Sequence, residues 1–187
     1  EDGHVVSSAS YLPDPSPQQE FLRITELMYH PRPGGDDDPE NYEFVELKNI
    51  GDQPLSLAGV EFTDGISYTF GNEAIIPPHG LLVLAKHPDA FALRYTVPAG
   101  VQVVGPYNGN LSNGGENVRL DDATGDAILE FEYDDDWYPS TDGDGYSLTI
   151  RNPYDTPYDL WTHASSWRAS SAINGTPGSC LLYTSPS

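Results

Sequence analysis

Apolar runs in this chain are short, and Gly, Pro and Asp break them at close intervals. That punctuation leaves little room for long helices and favours short strands joined by tight turns. The first strand expected is Phe21 to Tyr29, opened by Leu22, Ile24 and Thr25. Pro31, Pro33, Gly34 and Gly35 then force a loop carrying Asp36, Asp37, Asp38 and Glu40. From Tyr42 to Asn49, Val45 and Leu47 alternate with Glu46 and Lys48, the pattern of a half-buried strand. Leu57 to Phe62 and Ser67 to Phe70 flank Asp64-Gly65, a hairpin signal. Further strands are expected at Ile75-Ile76, Leu81 to Ala85, Val101 to Val104, Val118 to Leu120, Ile128 to Tyr133 and Tyr146 to Ile150.

One helix stands out, His87 to Tyr95, with Pro88 in its first turn, Asp89 near the positive end of the dipole, and Phe91 and Tyr95 on one face. With 18 Gly, 17 Pro and twice as many Tyr as Phe, the composition agrees with an all-β chain. Its length of 187 residues suits one domain with a real core. Residues 1–20 read as a flexible polar lead-in, 21–178 as the domain, and 179–187 (ending CLLYTSPS) as an unstructured or vector-derived tail. The segments from Ser165 to Ser171 and from Gly175 to Gly178 read as an irregular cover over one edge. Glu1 in place of an initiator Met suggests a processed or truncated precursor.

A formal charge of −21 repels phosphates and anionic lipid, which argues against nucleic acid, makes membrane surfaces poor partners and favours cations. No apolar run is long enough to insert across a bilayer. The single Cys180 excludes an internal disulfide framework and a thiolate zinc site.

Several segments, in order, carry a family likeness. They are Ile24-Thr25-Glu26-Leu27-Met28-Tyr29, Tyr42-Glu43-Phe44-Val45-Glu46-Leu47-Lys48-Asn49 and Leu55-Ser56-Leu57-Ala58-Gly59. Tyr68-Thr69-Phe70, Ile76-Pro77-Pro78-His79-Gly80, Asp89-Ala90-Phe91 and the loop from Asn110 to Glu116 follow. Asp142-Gly143-Asp144-Gly145-Tyr146-Ser147-Leu148, Trp167 and Gly175-Thr176-Pro177-Gly178 close the set. From Leu22 to Gly178 the chain thus resembles a bacterial lamin-tail domain. The resemblance implies an immunoglobulin-like β-sandwich and a non-catalytic binding or adhesion module on secreted or cell-envelope proteins.

Two acidic sets carry the candidate chemistry. The first holds Glu26, Asp36, Asp37, Asp38, Glu40, Glu43 and Glu46. Alternation places Glu26 on the side of Ile24 and Met28, sheltered enough to need donors or a cation. Strand-end carboxylates beside a Gly-rich loop suit the oxygen coordination of calcium, so Glu26, Asp36, Asp37, Asp38, Glu40 and Glu43 are candidate ligands. The second set lies in DDDWYPSTDGDGYSLTIR, from Asp134 to Arg151, where Asp142 and Asp144 are candidate calcium ligands. Asp-Gly pairs also serve as ordinary turns, and the spacing does not match an EF-hand. Whether the fold brings the two sets together is open.

The chain carries neither GxSxG nor HExxH. A calcium-dependent ester or phosphoester hydrolase is the alternative, with His30 and Glu26 as acid or base. A third reading, polysaccharide binding, rests on Trp137, Tyr138 and Trp161 as exposed stacking rings. Tyr146 and Trp167 read as core or edge covers.

Overall fold

Seven consecutive residues, Leu22–Met28, are buried and form strand β1; the six of β2, Phe44–Asn49, and the five of β7, Leu81–Ala85, are buried as well. Strands covered on both faces occupy the middle of a layered molecule. A computed structural model describes residues 14–34 and 38–179. The remaining strands are β3 (Leu55–Ser56), β4 (Glu61–Asp64), β5 (Tyr68–Thr69) and β6 (Ile75–Ile76). In the second half come β8 (Gln102–Val104), β9 (Glu116–Asp121), β10 (Ala127–Tyr133), β11 (Leu148–Ile150) and β12 (Trp167–Ala169). A six-stranded sheet runs β12-β11-β1-β2-β7-β8, a four-stranded sheet β10-β9-β4-β5, and β3 pairs with β6.

The two larger sheets stack as a sandwich around one apolar cluster. Leu22, Ile24, Leu27, Val45, Leu47 and Leu148 enter it from one sheet, and Phe62, Val118, Leu120, Leu129 and Phe131 from the other. A smaller cluster sits on the outer face of the six-stranded sheet, where Met28, Phe44, Val83 and Ala85 meet Phe91 and Tyr95. Helix α2, Pro88–Arg94, supplies Phe91, and the Phe44 ring packs edge-on to Phe91 and Tyr95 with centroids 5.7 and 5.2 Å apart. Its N-cap is His87, whose Nδ1 accepts from the Ala90 amide.

Three expectations change. The lead-in does not stay irregular to residue 20, because Pro17–Phe21 form a short helix, α1, closed by a capping box between Ser16 and Gln19. Residues 1–13 and 180–187 lie outside the described residues. The cover proposed at Ser165 to Ser171 contains β12, which pairs with β11 and is the edge strand itself. And β1 does not alternate evenly. Its register against β2 shifts between Ile24 and Glu26, so Ile24 enters the inter-sheet core while Met28 enters the outer cluster. Glu26 therefore does not share a face with Ile24.

Candidate functional site

The two acidic loops meet at one end of the sandwich. Tyr29, buried just past β1, shares a 2.7 Å hydrogen bond with Thr141, tying the start of one loop to the other. One residue on, His30 Nδ1 lies 2.7 Å from Asp142 Oδ1, both side chains part exposed. Gly143 packs beside the His30 ring. Gly145, at φ 91, lies so close to Arg32 that an added Cβ would stand 2.7 Å from its Cδ. Asp144 lines a shallow cleft with Arg32, Pro33 and Tyr146, and Asp38 and Glu40 line a neighbouring one with His30 and Asn113.

Some of this acidity is local scaffolding. Asp38 accepts from the Glu40 amide at 3.1 Å and Asp134 from the Asp136 amide at 2.8 Å, each capping a short 3-10 turn. Asp36 and Asp37 lie outside the described residues. Among the described residues, no three Asp, Glu, His or Cys side chains come together in a ready metal-ligand set.

Glu43 does not belong to that rim. It is fully buried, and its Oε2 accepts from the Tyr107 hydroxyl at 2.8 Å and the Leu111 amide at 2.9 Å. Its Oε1 is buried without a hydrogen-bond partner. Burial pushes its carboxyl up to about 7, against the pull of those donors and of Lys86. The Lys86 ammonium donates to the Gly109 carbonyl and the Asn110 amide oxygen and lies 5.4 Å from the Tyr107 ring, while Asn110 donates to Glu40. A cation of the chain's own thus sits among these oxygens.

Glu26 is removed from the rim more completely. It is Cα partner to Glu46 across β1 and β2, and both carboxylates are buried. Glu26 Oε1 accepts from the Thr176 amide at 2.7 Å and from the Ser147 hydroxyl; its Oε2 accepts from the Thr176 hydroxyl at 2.9 Å. Glu46 accepts from Thr25 Oγ1 at 2.6 Å and from the Gly178 amide at 2.7 Å. The two carboxylates therefore clip the segment 175–178 to the outer face of the sheet. Desolvation raises both, with Glu46 pushed up to about 8 by burial first and the Glu26 charge second. With its oxygens engaged beneath this strap, Glu26 is a structural group, neither a rim ligand nor an acid or base at the surface. Glu46 belongs to the acidic set by sequence, but its pairing with Glu26 is signalled there only by Gly175-Thr176-Pro177-Gly178, a segment whose amides need acceptors.

The stacking expectation changes too. Trp161 is fully buried, its centroid 5.7 Å from Phe131 and 5.4 Å from Trp167, so it belongs to the core. Tyr138 is part buried and donates to the carbonyls of Ala164 and Trp167 at 2.9 and 2.8 Å, and Trp137 packs against the same core. The more exposed rings are Tyr154 and Tyr158, near Lys48 and Arg23 at 5.8 and 4.7 Å.

An inter-sheet core, short antiparallel strands and loops gathered at one end define an immunoglobulin-like β-sandwich. The chain belongs to the lamin tail domain family, whose sequence model matches residues 15–135. The family supports a non-catalytic domain. Strands β11 and β12, which complete the six-stranded sheet, and the strap lie beyond the matched residues. Among curated proteins, none matches the chain.

Proposed function

We propose that the chain is a non-catalytic binding module of a secreted or cell-envelope protein, and that its acidic rim takes calcium. What carries this reading is the meeting of two acidic loops, distant in sequence, at the His30–Asp142 contact. Asp38, Glu40, Asp142 and Asp144 supply oxygen at that end, and Asp36 and Asp37 belong to the same loop by sequence. The formal charge of −21 favours a cation there. Because no trio of ligands is assembled in advance among the described residues, affinity belongs in the weak range of extracellular modules, roughly 10⁻⁴–10⁻³ M. Thermal melting with calcium against EDTA tests this. A rise in Tm that Asp142→Asn and Asp144→Asn together abolish supports the rim; no shift at millimolar calcium rejects the calcium part.

The His30–Asp142 pair also favours a second reading, a metal-dependent hydrolase in which Asp142 orients the ring and His30 exchanges a proton with substrate. Ester and phosphoester turnover that is lost with EDTA, returns with calcium and disappears in His30→Ala would replace the first reading. Turnover that survives His30→Ala would reject the second.

A further inference from the structure

Away from the rim, a groove of about 1100 Å³ runs between α1 and the start of β10. That is at or above the roughly 300–1,000 Å³ of pockets fitted to small ligands, and it suits a length of chain. Three features converge on it. First, β10 is the outermost strand of the four-stranded sheet, so one row of its backbone groups points away from β9. The Ala127 carbonyl shows the direction: it accepts a 3.1 Å hydrogen bond from the Gln19 side-chain amide, as it would from an added strand's N–H. Second, the walls are largely carbon, with Pro15, Ala127, Ile128 and Leu129 among them. Third, the rim is acidic, carrying Asp14, Glu20, Asp122, Asp126 and Glu130.

The cation lining the groove, Arg23, is already committed. It is buried, donates to the carbonyls of Gln19, Leu22 and Glu20, and stacks on Tyr158. Glu130 is paired with Arg119 at 3.0 Å and the buried Asp122 accepts within its own turn, so the negative field of the rim is carried by Asp14, Glu20 and Asp126. In a two-fold antiparallel pairing of two such edges centred on Phe131, Glu130 of each copy would face Glu132 of the other, so a second copy of this chain is disfavoured. The chain's own residues 1–13 contain Glu1 and Asp2 and no Lys or Arg, so their charge is also wrong. The register shift between Ala127 and Leu129 twists the edge, a device that blunts indiscriminate pairing and leaves selection to charge.

We propose that this groove receives an extended basic segment of a partner protein, added as a short strand along residues 127–131 of β10, short of the Glu132 carbonyl that Thr162 already occupies, with alternate Lys or Arg side chains toward the carboxylates and apolar ones toward Ala127, Ile128 and Pro15. The ligand's amides replace Gln19 at the Ala127 carbonyl. Main-chain pairing supplies the affinity and the acidic rim the selectivity. This stands independently of calcium at the other end.

Fluorescence anisotropy with a synthetic peptide alternating Lys and Val, against the whole chain, tests it. Three comparisons decide: an acidic Glu-Val peptide, a Lys-Val peptide with alternate backbone nitrogens methylated, and the double variant Asp14→Lys/Glu20→Lys. The last is set against Glu73→Lys/Asp89→Lys, which changes net charge equally at a distance. Each of the first three is expected to weaken binding about tenfold or more, with the distant pair closer to wild type. Slower hydrogen exchange at residues 128–131 on addition of the peptide is the accompanying signature. No binding by the Lys-Val peptide overturns the proposal. So does binding that the methylated peptide matches, since main-chain pairing is then absent, or equal losses from the near and distant charge reversals, which reduce the effect to bulk attraction. Circular dichroism of each variant separates loss of binding from loss of fold.

Discussion

Glu26 and Glu46 stand opposite each other on adjacent central strands, both buried, and both face one C-terminal segment whose amides they accept. Two like charges so placed cannot both ionise cheaply. Lys48 also faces the pair and favours a Glu46 charge, while the Glu26 charge helps hold the buried Tyr95 phenol neutral.

Stability should fall as the solution is made alkaline. Glu46 is pushed up to about 8, Glu43 up to about 7, and Glu26 is raised, each from an ordinary 4.5. The native state then keeps protons that the unfolded chain has released, so this contribution is full below about pH 4.5 and is lost as pH rises through 7 to 8, by on the order of a few kcal/mol. Asp64 and Asp122, whose carboxyls are held below 3.8, act in the opposite sense only under more acidic conditions. Tm measured by calorimetry across pH 5 to 9 should decline, and Glu46→Gln should flatten the curve. A Tm that climbs through this window would contradict the assignment.

Loosening the strap is the expected result of Glu26→Ala. The change strips acceptors from the Thr176 amide and hydroxyl and from Ser147 and leaves a cavity, a cost of ~2–4 kcal/mol. Gly175→Ala should act similarly by another route, because its φ is 76 and a Cβ would sit 2.5 Å from Glu26 Oε1. Limited proteolysis followed by mass spectrometry should show new cleavage between residues 170 and 179 in both variants. Protection equal to wild type would mean that the strap is held elsewhere.

Trp161→Ala should cost ~3–5 kcal/mol, the range for emptying a large aromatic site in a core. Denaturant unfolding gives the number. A loss under 1 kcal/mol would show that Phe131 and Trp167 collapse into the space without penalty.

The His30–Asp142 contact is half in solvent, so His30→Ala should cost only ~0–1 kcal/mol, and less in high salt. Its effect belongs on loop order. Hydrogen exchange should quicken at residues 30–34 and 141–145 together. Quickening in one loop alone would show that the pair does not couple them.

Much of this molecule follows from short-range rules. The β-strands, the Asp64-Gly65 turn with Gly65 at φ 79, and the Pro88 helix are set by alternation, by glycine's freedom at positive φ and by proline's fixed φ, all within a few residues. The acidic loops are legible for the same reason, since Asp beside Gly caps turns locally. Burial is different, because it depends on what arrives from far along the chain. Trp161 and Trp137 sit in similar acidic, aromatic neighbourhoods of sequence, yet Trp161 is sealed by Phe131 and Trp167. Glu26 and Asp142 are both carboxylates near turns or strand ends, but a one-residue register shift in β1 and the return of Thr176 from 150 positions away bury the first, while the second stays half exposed beside His30. The sequence by itself determined most of the strands, the tight turns and the excess of negative charge, while β12 became a strand only through its pairing with β11. Tertiary structure decided which carboxylates are structural and which face solvent, because the cost of a buried charge is set by the donors that long-range contacts bring to it.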